Sequence, residues 1–461
     1  MSPNGSPLDN QPPRARRIRW RRRLRRAGAV ILTVFLVLLI AGWFFVLRIV
    51  EHDSWPPPPD AVTSGQAQAA TEEFLQRDDV TAPDLAISLA PSTADSIKFF
   101  SDGTQFYPPI FDDMAAATSS IHILVFSIAP GEISDRLMSI LKQQVAAGVE
   151  VRISVDRYGG KVFDASEGIY DELTAAGVQI VINDVFPIDR DGLLNDRSFD
   201  RHQDEVGNAD HRKMLVIDGK IGWIGGAGFE DHFNGGRFHD DYVRVTGDVV
   251  RQMQLVFLTS FHVLGGPPPA SGLDRYFPAP DAPGTIPATL LQNVPGGFLP
   301  GTQAIGEVIE QSQERLDILN PYLTDPDMID RIIAAGERGV DVRVDVPGNS
   351  NNPQARDAAE HNYGDMFDAD VKVYEHEQII HAKVFVGDNR VIIGTINLDA
   401  WALYRNHEIA ILFDDAGVAD DARRILVEDA LSRSEPATLP GAMEQAEGLV
   451  LGQAGVLYLT G

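Results

Sequence analysis

Two parts of the chain repeat one order of residues, a polar helix-like segment followed by a short apolar run rich in β-branched residues. "AAGVEVRISVD" (146–156) corresponds to "ERGVDVRVDVP" (337–347), and "AAGVQIVIND" (175–184) corresponds to "FDADVKVYEH" (367–376). Helices that alternate with short strands are typical of α/β units. The pattern predicts two α/β halves with mixed β-sheets flanked by helices, at 91–264 and 287–435, joined by a Pro- and Gly-rich linker at 265–286.

An uncharged segment of 21 residues, 27–47, precedes the repeat and follows nine arginines between positions 14 and 26. This length suffices to cross the roughly 30 Å hydrocarbon core of a bilayer. The positive-inside rule predicts a cytoplasmic basic tail (1–26), one transmembrane anchor (27–48) and an extracytoplasmic remainder that begins with a Pro-rich spacer and lead-in (49–90). A cleaved signal peptide is the alternative, although no small-x-small cleavage site follows the apolar run.

The pattern His-x-Lys-x-x-x-x-Asp occurs twice, at His211–Asp218 and at His381–Asp388. The chain holds only 11 histidines among 461 residues, so two chance copies in matching contexts are improbable. His and Lys two positions apart on a strand point to the same face, where they offer a proton carrier beside a fixed cation. Two such faces predict a site for one phosphodiester, with two imidazoles for the chemistry and two ammonium groups for the charge.

Each copy is followed by a Gly-rich bend and then by an acid beside a new apolar run. The first bend is Gly225-Gly226-Ala227-Gly228, and the second is Gly394-Thr395-Ile396-Asn397. The acids are Asp240 and Glu408, which lie 29 and 27 residues after their motif histidines. Each half is therefore predicted to contain a strand, a turn, a second strand, the bend, and then a third strand.

Glycine spacing places an insertion in the first half. Gly148 and Gly177 are 29 residues apart, and Gly339 and Asp370 are 31 apart, but the motif histidine follows after 34 residues in the first half and after 11 in the second. The excess corresponds to roughly 185–208. This polar segment is either a lid over the site or a passive surface excursion. No role is assigned to the tail 436–461.

These phrases resemble the phospholipase D superfamily, and within it the bacterial cardiolipin synthase-like proteins. The resemblance runs from about residue 95 to about 430 and is carried by "DHRKMLVIDGKIGWIGG", "FHDDYVRVTG", "ILNPYLTDPDMIDRIIAAGERGVDVRV" and "IIHAKVFVGDNRVIIGTINLDAWALYRNHEIAI". It implies two halves with pseudo-twofold symmetry and an active site at their interface. One chain then suffices for the site, and no cofactor is needed.

The resemblance also implies roles for the motif residues. His211 would attack phosphorus and form a covalent phosphohistidine, and His381 would protonate the leaving alcohol and later deprotonate the incoming one. Lys213 and Lys383 would bind the non-bridging oxygens, and Asn397 would add a hydrogen bond. Gly228 stands where related sequences often carry Asn, and Thr395 stands where Ser is usual.

Acidic partners follow from general chemistry as well as from the resemblance. An acid that accepts Nδ1–H of a histidine fixes its tautomer and stabilises imidazolium, so Asp240 and Glu408 are the expected orienting groups. His239 and Asp241 leave this register uncertain by one residue. Asp218 and Asp388, each followed by a turn-type residue, are expected to hold the strand–turn geometry.

A metal site is the competing interpretation of these histidines. Its ligands would come from His202, His211, His232 and His239 with Asp204, Asp210, Asp240 and Asp241. A lysine on the same face as each motif histidine repels a cation, so no metal is expected.

Net charge bears on the substrate. Residues 1–50 hold ten arginines and one acid, which leaves 29 basic and 65 acidic residues and a formal charge of −36 on the remainder. Such a surface repels polyanions and disfavours nucleic acid as a partner, although acidic surfaces also serve solubility. Cysteine is absent, so no disulfide supports the fold.

The expected partners are therefore a phospholipid and an alcohol or water as acceptor. The first hypothesis is phosphatidyl transfer, as in cardiolipin synthesis, and the second is hydrolysis that releases phosphatidic acid. A nuclease and a catalytically silent, membrane-tethered binding module remain as alternatives.

Overall fold

The computed structural model describes residues 60–156, 159, 166–183, 209–269, 272–279 and 284–439, which lie in one compact unit spanning Ser54–Gly461. The predicted basic tail, the anchor at 27–48, the insertion at 185–208 and the tail beyond 439 lie outside these residues. No helix within the described part has the length and apolar character that a membrane crossing requires.

Each half is built around one mixed sheet, and the two sheets share a strand order. In the first half the order is β2-β9-β7-β6-β3-β4-β5, and in the second it is β1-β10-β17-β16-β15-β11-β12-β13-β18. Their strands are β1 (Ser92–Ala94), β2 (Ser96–Ser101), β3 (Ser120–Val125), β4 (Glu150–Asp156), β5 (Gln179–Asn183), β6 (Met214–Ile217), β7 (Ile221–Gly225), β9 (Asp241–Thr246), β10 (Ile286–Asn293), β11 (Arg315–Leu319), β12 (Asp341–Pro347), β13 (Lys372–His376), β15 (Val384–Gly387), β16 (Arg390–Gly394), β17 (Glu408–Asp414) and β18 (Ser434–Pro436).

The repeat is visible in the pairing. β3, β4 and β5 are parallel neighbours in the first sheet, as β11, β12 and β13 are in the second, and the strands on the other side are antiparallel. The edge strand β1 lies at the beginning of the predicted first half, 91–264, but pairs with β10 of the second sheet, so these residues belong to the other sheet. The predicted α/β halves with mixed sheets are thus confirmed.

Helices connect and cover these strands. The α-helices are α1 (Ala67–Leu75), α2 (Gly103–Ala115), α3 (Glu132–Ala146), α4 (Ser166–Ala175), α5 (Val249–Val263), α6 (Pro300–Gln311), α7 (Pro326–Glu337), α8 (Pro353–Glu360), α9 (Tyr363–Asp368), α10 (Ala400–Tyr404), α11 (Ala416–Ala422) and α12 (Glu428–Leu431). Short 3-10 turns cover Ala82–Leu85, Asp231–Phe233 and Leu273–Tyr276, and a π-helical turn, Arg423–Val427, joins α11 to α12.

Four residues that set the sequence register occupy the same backbone conformation. Gly148, Gly177, Gly339 and Asp370 follow helices and have φ between 62° and 102°. A left-handed residue at this position ends a helix and turns the chain toward the next strand. Glycine takes that conformation without cost, and aspartate tolerates it better than most residues.

The sheets meet through a shared apolar core. It contains Val216 and Val243 from the first sheet, Val384 and Ile411 from the second, and Phe257 from α5. Most residues of α5 are buried, which is why its sequence is apolar on nearly every face. Separate clusters lie under the outer helices of each half. Burial of apolar surface therefore fixes how the two halves meet.

A two-stranded parallel pair connects the halves beside this core. β8 (Phe238–His239) belongs to the first half, and β14 (Ile379–Ile380) belongs to the second. The pseudo-equivalent contact is a single parallel bridge between Asp210 and His407. Both contacts lie immediately before a motif histidine, so they position the residues described next.

Candidate active site

Both motifs begin in extended segments that precede strands. His211 and Lys213 come directly before β6, and His381 and Lys383 come directly before β15. The expectation that these side chains lie within strands is corrected, because each segment pairs with the opposite half before its own strand begins.

Backbone hydrogen bonds make that pairing. His211 N donates to His407 O at 3.0 Å, and His381 N donates to His239 O at 2.6 Å. Each acceptor residue directly precedes one of the two predicted acids in the sequence. This backbone pairing therefore places each acid next to the motif histidine of the other half.

The side chains complete this crossing. His211 Nδ1 lies 3.0 Å from Glu408 Oε1, and His381 Nδ1 lies 2.7 Å from Asp240 Oδ2. Both carboxyl side chains are fully buried, whereas the imidazoles keep 12% and 14% of their surface exposed. With Nδ1 engaged by a carboxyl group, Nε2 is the ring atom left for chemistry. Neither half could orient its own histidine alone.

The bends after each motif hold the acids. Thr395 Oγ1 donates to Glu408 Oε2, and in the first half Gly226 N donates to Asp240 Oδ1 at 3.1 Å. Asp241 N also donates to Asp240 Oδ1, at 2.7 Å. Thr395 and Gly226 occupy the same place in the repeat. A hydroxyl group in one half and a backbone N–H in the other therefore donate to the equivalent carboxyl groups.

Glycines in the bends permit close approach. A Cβ at Gly226 would lie 2.6 Å from both Asp240 carboxyl oxygens. At Gly225 it would lie 2.4 Å from the Tyr242 ring, and at Gly394 it would lie 2.3 Å from Ile409 O. Any larger residue would push the acid-bearing strand away from the bend.

Both lysines are buried beside the histidines. Lys213 Nζ donates to His211 O at 2.7 Å, and Lys383 Nζ donates to His381 O and lies 2.9 Å from His381 Nδ1. Burial lowers the pKa of Lys213 to about 7 and that of Lys383 to about 8. Two partly desolvated ammonium groups thus face the site.

Burial shifts the other titratable groups toward their neutral forms. It lowers the pKa of both His211 and His381 well below the usual value, and the two lysines add to this effect. It raises the pKa of Asp240 to about 7 and that of Glu408 to about 8. An anion bound between the lysines would favour their charged forms and those of the histidines.

The two motif aspartates, Asp218 and Asp388, stabilise the backbone around each motif. Asp218 (φ 53°) accepts backbone N–H groups of residues 118–120, and Asp388 (φ 45°) accepts those of residues 313–315. Both segments lie at the beginning of a strand, β3 or β11. The aspartates thus tie each motif hairpin to the neighbouring strand, as their turn-type context predicts.

The two bends also differ at their fourth position, which is Gly228 in the first half and Asn397 in the second. Asn397 is buried, and its Oδ1 has no protein hydrogen-bond partner in the described part of the chain. At Gly228 a Cβ would lie 2.6 Å from Ser127 O and 2.8 Å from Glu230 Oε1. The place of the amide in the first half is therefore occupied by Ser127 and Glu230.

The histidines and acids considered as metal ligands divide into separate pairs. Within the described residues, no group of three His, Cys, Asp or Glu side chains has an arrangement that could hold a metal ion. His239 pairs with Asp241 at 3.4 Å, behind Asp240, and Asp210 pairs with Arg212. His202 and Asp204 lie outside the described residues.

The sequence interpretation missed several groups around the histidines. Phe126 contacts His211 with ring centroids 5.1 Å apart, and Phe233 contacts His381 at 5.4 Å. Glu230, with its pKa raised by burial to about 7, lies near Lys213 and next to His232. Comparison of the two halves could have identified Glu230. It follows Gly228 by two residues, as Asp399 follows Asn397 in the second half.

The chain is similar in sequence to known proteins. A family model described as "Cardiolipin synthase, PLD-like domain" matches residues 110–243 and 305–429, together more than half of the chain. The cardiolipin synthase of Staphylococcus aureus (strain Mu50) is 27% identical over 360 residues, which cover 75% of this chain and 69% of that protein. Cardiolipin synthase 2 of Staphylococcus epidermidis is 27% identical over 354 residues, which cover 73% and 68%.

A solved structure supports the fold. The phosphatidylserine synthase of Haemophilus influenzae Rd KW20 superposes with a TM-score of 0.59 at 14% identity, and the match covers 84% of this chain and 98% of that one. At this identity the similarity concerns the fold alone.

Proposed function

Because the chain belongs to the family described as cardiolipin synthase, PLD-like domain, we propose that it is a membrane-anchored phosphatidyltransferase of the phospholipase D type. The reaction moves a phosphatidyl group from a phospholipid headgroup to a second alcohol, as in cardiolipin synthesis from phosphatidylglycerol. One observation carries the proposal: two imidazoles, each bound at Nδ1 to a buried carboxyl group of the opposite half, lie beside two buried lysines.

In the first step, His211 Nε2 attacks phosphorus. The nucleophile must be neutral, and burial with two nearby ammonium groups keeps the pKa of His211 low enough for that. The bond from Nε2 to phosphorus forms while the bond from phosphorus to the headgroup oxygen breaks. Glu408 stabilises the positive charge that the His211 ring gains.

His381 handles the proton in both steps. It donates a proton to the leaving alkoxide, and in the second step it accepts one from the incoming alcohol, whose oxygen displaces His211 Nε2 from phosphorus. A bound phosphodiester anion raises the pKa of His381 from its low value toward the range in which it can act as the acid. Asp240 holds the ring in one tautomer throughout.

The phosphoryl oxygens need positive charge and hydrogen bonds. Lys213 and Lys383 supply two ammonium groups that are already desolvated, so little reorganisation is needed when the substrate enters. The Asn397 amide adds a neutral hydrogen bond. These groups act more strongly on the transition state, where charge on the equatorial oxygens is greatest.

The predicted anchor at 27–48 supports a lipid substrate, because it keeps the chain at a membrane surface. With the arginine tail in the cytoplasm, the catalytic part is expected to be extracytoplasmic. Protease treatment of intact cells from which the outer barrier has been removed tests this topology. Digestion of the catalytic part is expected, and full protection would contradict it.

Product analysis tests the reaction. The full chain, in mixed micelles that contain phosphatidylglycerol, is expected to form cardiolipin and free glycerol, both measured by mass spectrometry. Quenching with denaturant at mildly alkaline pH, where a bond between phosphorus and a histidine nitrogen survives, should trap a phosphatidyl group on His211, and the variant His211→Ala should lack both the adduct and the products. Phosphatidic acid as the sole product would instead establish a hydrolase, and the absence of any lipid product would contradict action on phospholipids.

A further inference from the structure

A third pair of an imidazole and a carboxyl group lies at the rim of the site. Glu230 Oε2 is 3.2 Å from His232 Nε2, and Ser127 Oγ donates to Glu230 Oε1. The Glu230 side chain is 5% exposed, whereas that of His232 is 31% exposed. The carboxyl group is thus fixed from two sides, and the imidazole that it holds reaches solvent.

The repeat shows that this pair is specific to the first half. The equivalent acid in the second half, Asp399, accepts the backbone N–H groups of Trp401 and Ala402 and begins helix α10. Glu230 is followed by a 3-10 turn and makes no such cap. Its longer side chain instead extends into the place that Gly228 leaves open.

The rings of Phe233 and Phe238 each contact both His232 and His381, the histidine that is proposed to transfer protons. The His232 ring is 4.4 Å from that of Phe233 and 4.5 Å from that of Phe238, and these two rings are 5.4 Å and 5.9 Å from His381. Glu230 is also close enough to Lys213 for the ammonium charge to lower its pKa. A group bound by His232 would therefore lie beside the incoming alcohol.

The hydrogen-bonding character of His232 limits what it can bind. The hydrogen bond between Nε2 and Glu230 contains one proton. When Nε2 donates it to the charged carboxylate, Nδ1 is unprotonated and can accept a hydrogen bond. When the protonated carboxyl group donates it to Nε2, Nδ1 carries the ring proton and can donate. Burial raises the pKa of Glu230 to about 7, so both states occur near neutrality. A hydroxyl group fits both, because it donates and accepts, whereas a phosphoryl oxygen or an ammonium group fits only one.

The charge around His232 is mixed. Burial lowers the pKa of His232 to about 4, and the Asp231 carboxylate opposes this shift more than the Arg237 guanidinium adds to it. Acidic groups beside the imidazole, Glu230 and Asp231, thus accompany the positive groups of the site. Because neither sign of charge dominates at His232, a neutral hydroxyl group fits there without a charged partner.

We propose that His232, held by Glu230, binds a second hydroxyl of the acceptor and so makes the site select a polyol over a simple alcohol or water. This inference rests on the proposed transferase function. The reacting hydroxyl gives its proton to His381 and forms the bond to phosphorus while the bond to His211 breaks. The second hydroxyl changes no covalent bond, and it fixes the orientation of the acceptor.

Competition between two acceptors tests the assignment. The full chain, in mixed micelles with phosphatidylglycerol, is given equal concentrations of perdeuterated glycerol and ethanol, and the deuterated phosphatidylglycerol and phosphatidylethanol are measured by mass spectrometry. The variant His232→Phe keeps the ring between Phe233 and Phe238 and removes both nitrogens. It should lower the ratio of glycerol transfer to ethanol transfer about tenfold, the worth of one hydrogen bond.

Two further variants separate the roles of the pair. Glu230→Ala should lower the ratio as His232→Phe does, whereas Glu230→Gln, whose amide still holds Nε2, should keep it within about threefold. The control is His361→Phe, which changes a histidine at the end of α8 and should leave the ratio unchanged. An unchanged ratio in His232→Phe, or equal ratios in Glu230→Ala and the wild type, would overturn the inference. Wild-type enzyme that transfers to neither alcohol and also forms no cardiolipin would instead overturn the proposed function.

Discussion

A carboxyl group bound to a catalytic histidine matters most at the moment when the ring gains a proton or a phosphoryl group. Asp240 and Glu408 are fully buried and reach the histidines through Nδ1. An amide in the same place would keep the shape but would present the wrong donor or acceptor and no charge. At the scale of single residues, the proposed mechanism therefore depends on these two acids.

The variants Asp240→Asn and Glu408→Gln should each lower kcat by about 10²–10⁴-fold while the protein remains folded. The measurement is the initial rate of lipid conversion, together with a thermal melt. Thr395→Val, which removes only the hydroxyl bound to Glu408, should have a smaller effect in the same direction. Wild-type rates in Asp240→Asn would show that His381 does not depend on this carboxyl group.

The residue pattern alone could predict the histidines, lysines and acids but not how they pair. Local sequence cannot distinguish Asp240 from its neighbours, and the structure resolves this by alternation: His239 and Asp241 contact each other, so Asp240 points the opposite way. Each acid pairs with the histidine of the opposite half because of how the two sheets pack. The spacing of residues within one half carries no information about that packing. Glu230 was missed because it is not part of the repeated motif.

At the scale of elements, the tight turns after β6 and β15 depend on one aspartate each. Asp218 and Asp388 both have positive φ and both accept backbone N–H groups from a neighbouring strand. The motif therefore ends on a residue that links strands, and its chemistry lies entirely at its beginning.

Replacing Asp218 or Asp388 by Ala should lower the free energy of unfolding by about 1–3 kcal/mol, because three successive backbone N–H groups lose their acceptor and alanine is strained at positive φ. Chemical denaturation measures this change. Asn at the same positions tolerates the backbone and keeps one acceptor, so it should cost less. Equal losses for Ala and Asn would contradict the proposed capping role.

Strand β12 carries a buried acid that makes stability depend on pH. Burial raises the pKa of Asp345 to about 7, and Ser434 and His239 oppose the rise only in part. A folded-state pKa above the unfolded value means that the stabilisation is complete below about pH 4 and is lost as the pH rises through about 7.

Between pH 5 and pH 8 the Asp345 carboxyl should cost the fold roughly 2–3 kcal/mol. The variant Asp345→Asn removes this titration, so its unfolding free energy should fall less over that interval. Urea unfolding of both proteins at the two pH values gives the comparison. Parallel pH dependence in wild type and variant would show that Asp345 is not responsible.

The fold class could be predicted at the scale of elements because the alternation of helices and strands is strong and occurs twice. The order of strands and the place of β1 could not. Ser92–Ala94 pairs with β10, almost two hundred residues later in the chain, and nothing local in three residues indicates a partner in the other sheet.

The whole molecule presents a surface that carries a formal charge of −36 beyond residue 50. The proposed substrate lies in an anionic membrane, so the protein and the lipid surface repel each other at long range. This repulsion is screened within a Debye length of about 8 Å at physiological ionic strength and of about 30 Å at 0.01 M.

Raising the salt concentration from 10 to 150 mM should therefore raise kcat/KM on micelles rich in phosphatidylglycerol several-fold. Micelles in which the same substrate is diluted into a zwitterionic detergent should show a much smaller increase. Rates that fall with salt on the anionic micelles would mean that a local basic surface dominates the encounter.

The crossed acids also set the earliest time, during synthesis of the chain, at which His211 can be oriented by its carboxyl group. His211 must wait for a carboxyl group that lies 197 residues later in the chain. At about 5–20 residues per second, a ribosome needs roughly 10–40 s to supply it. Until then the first half lacks the carboxyl group that orients its histidine, so under the proposed mechanism it would not cleave phospholipids while the chain is being made.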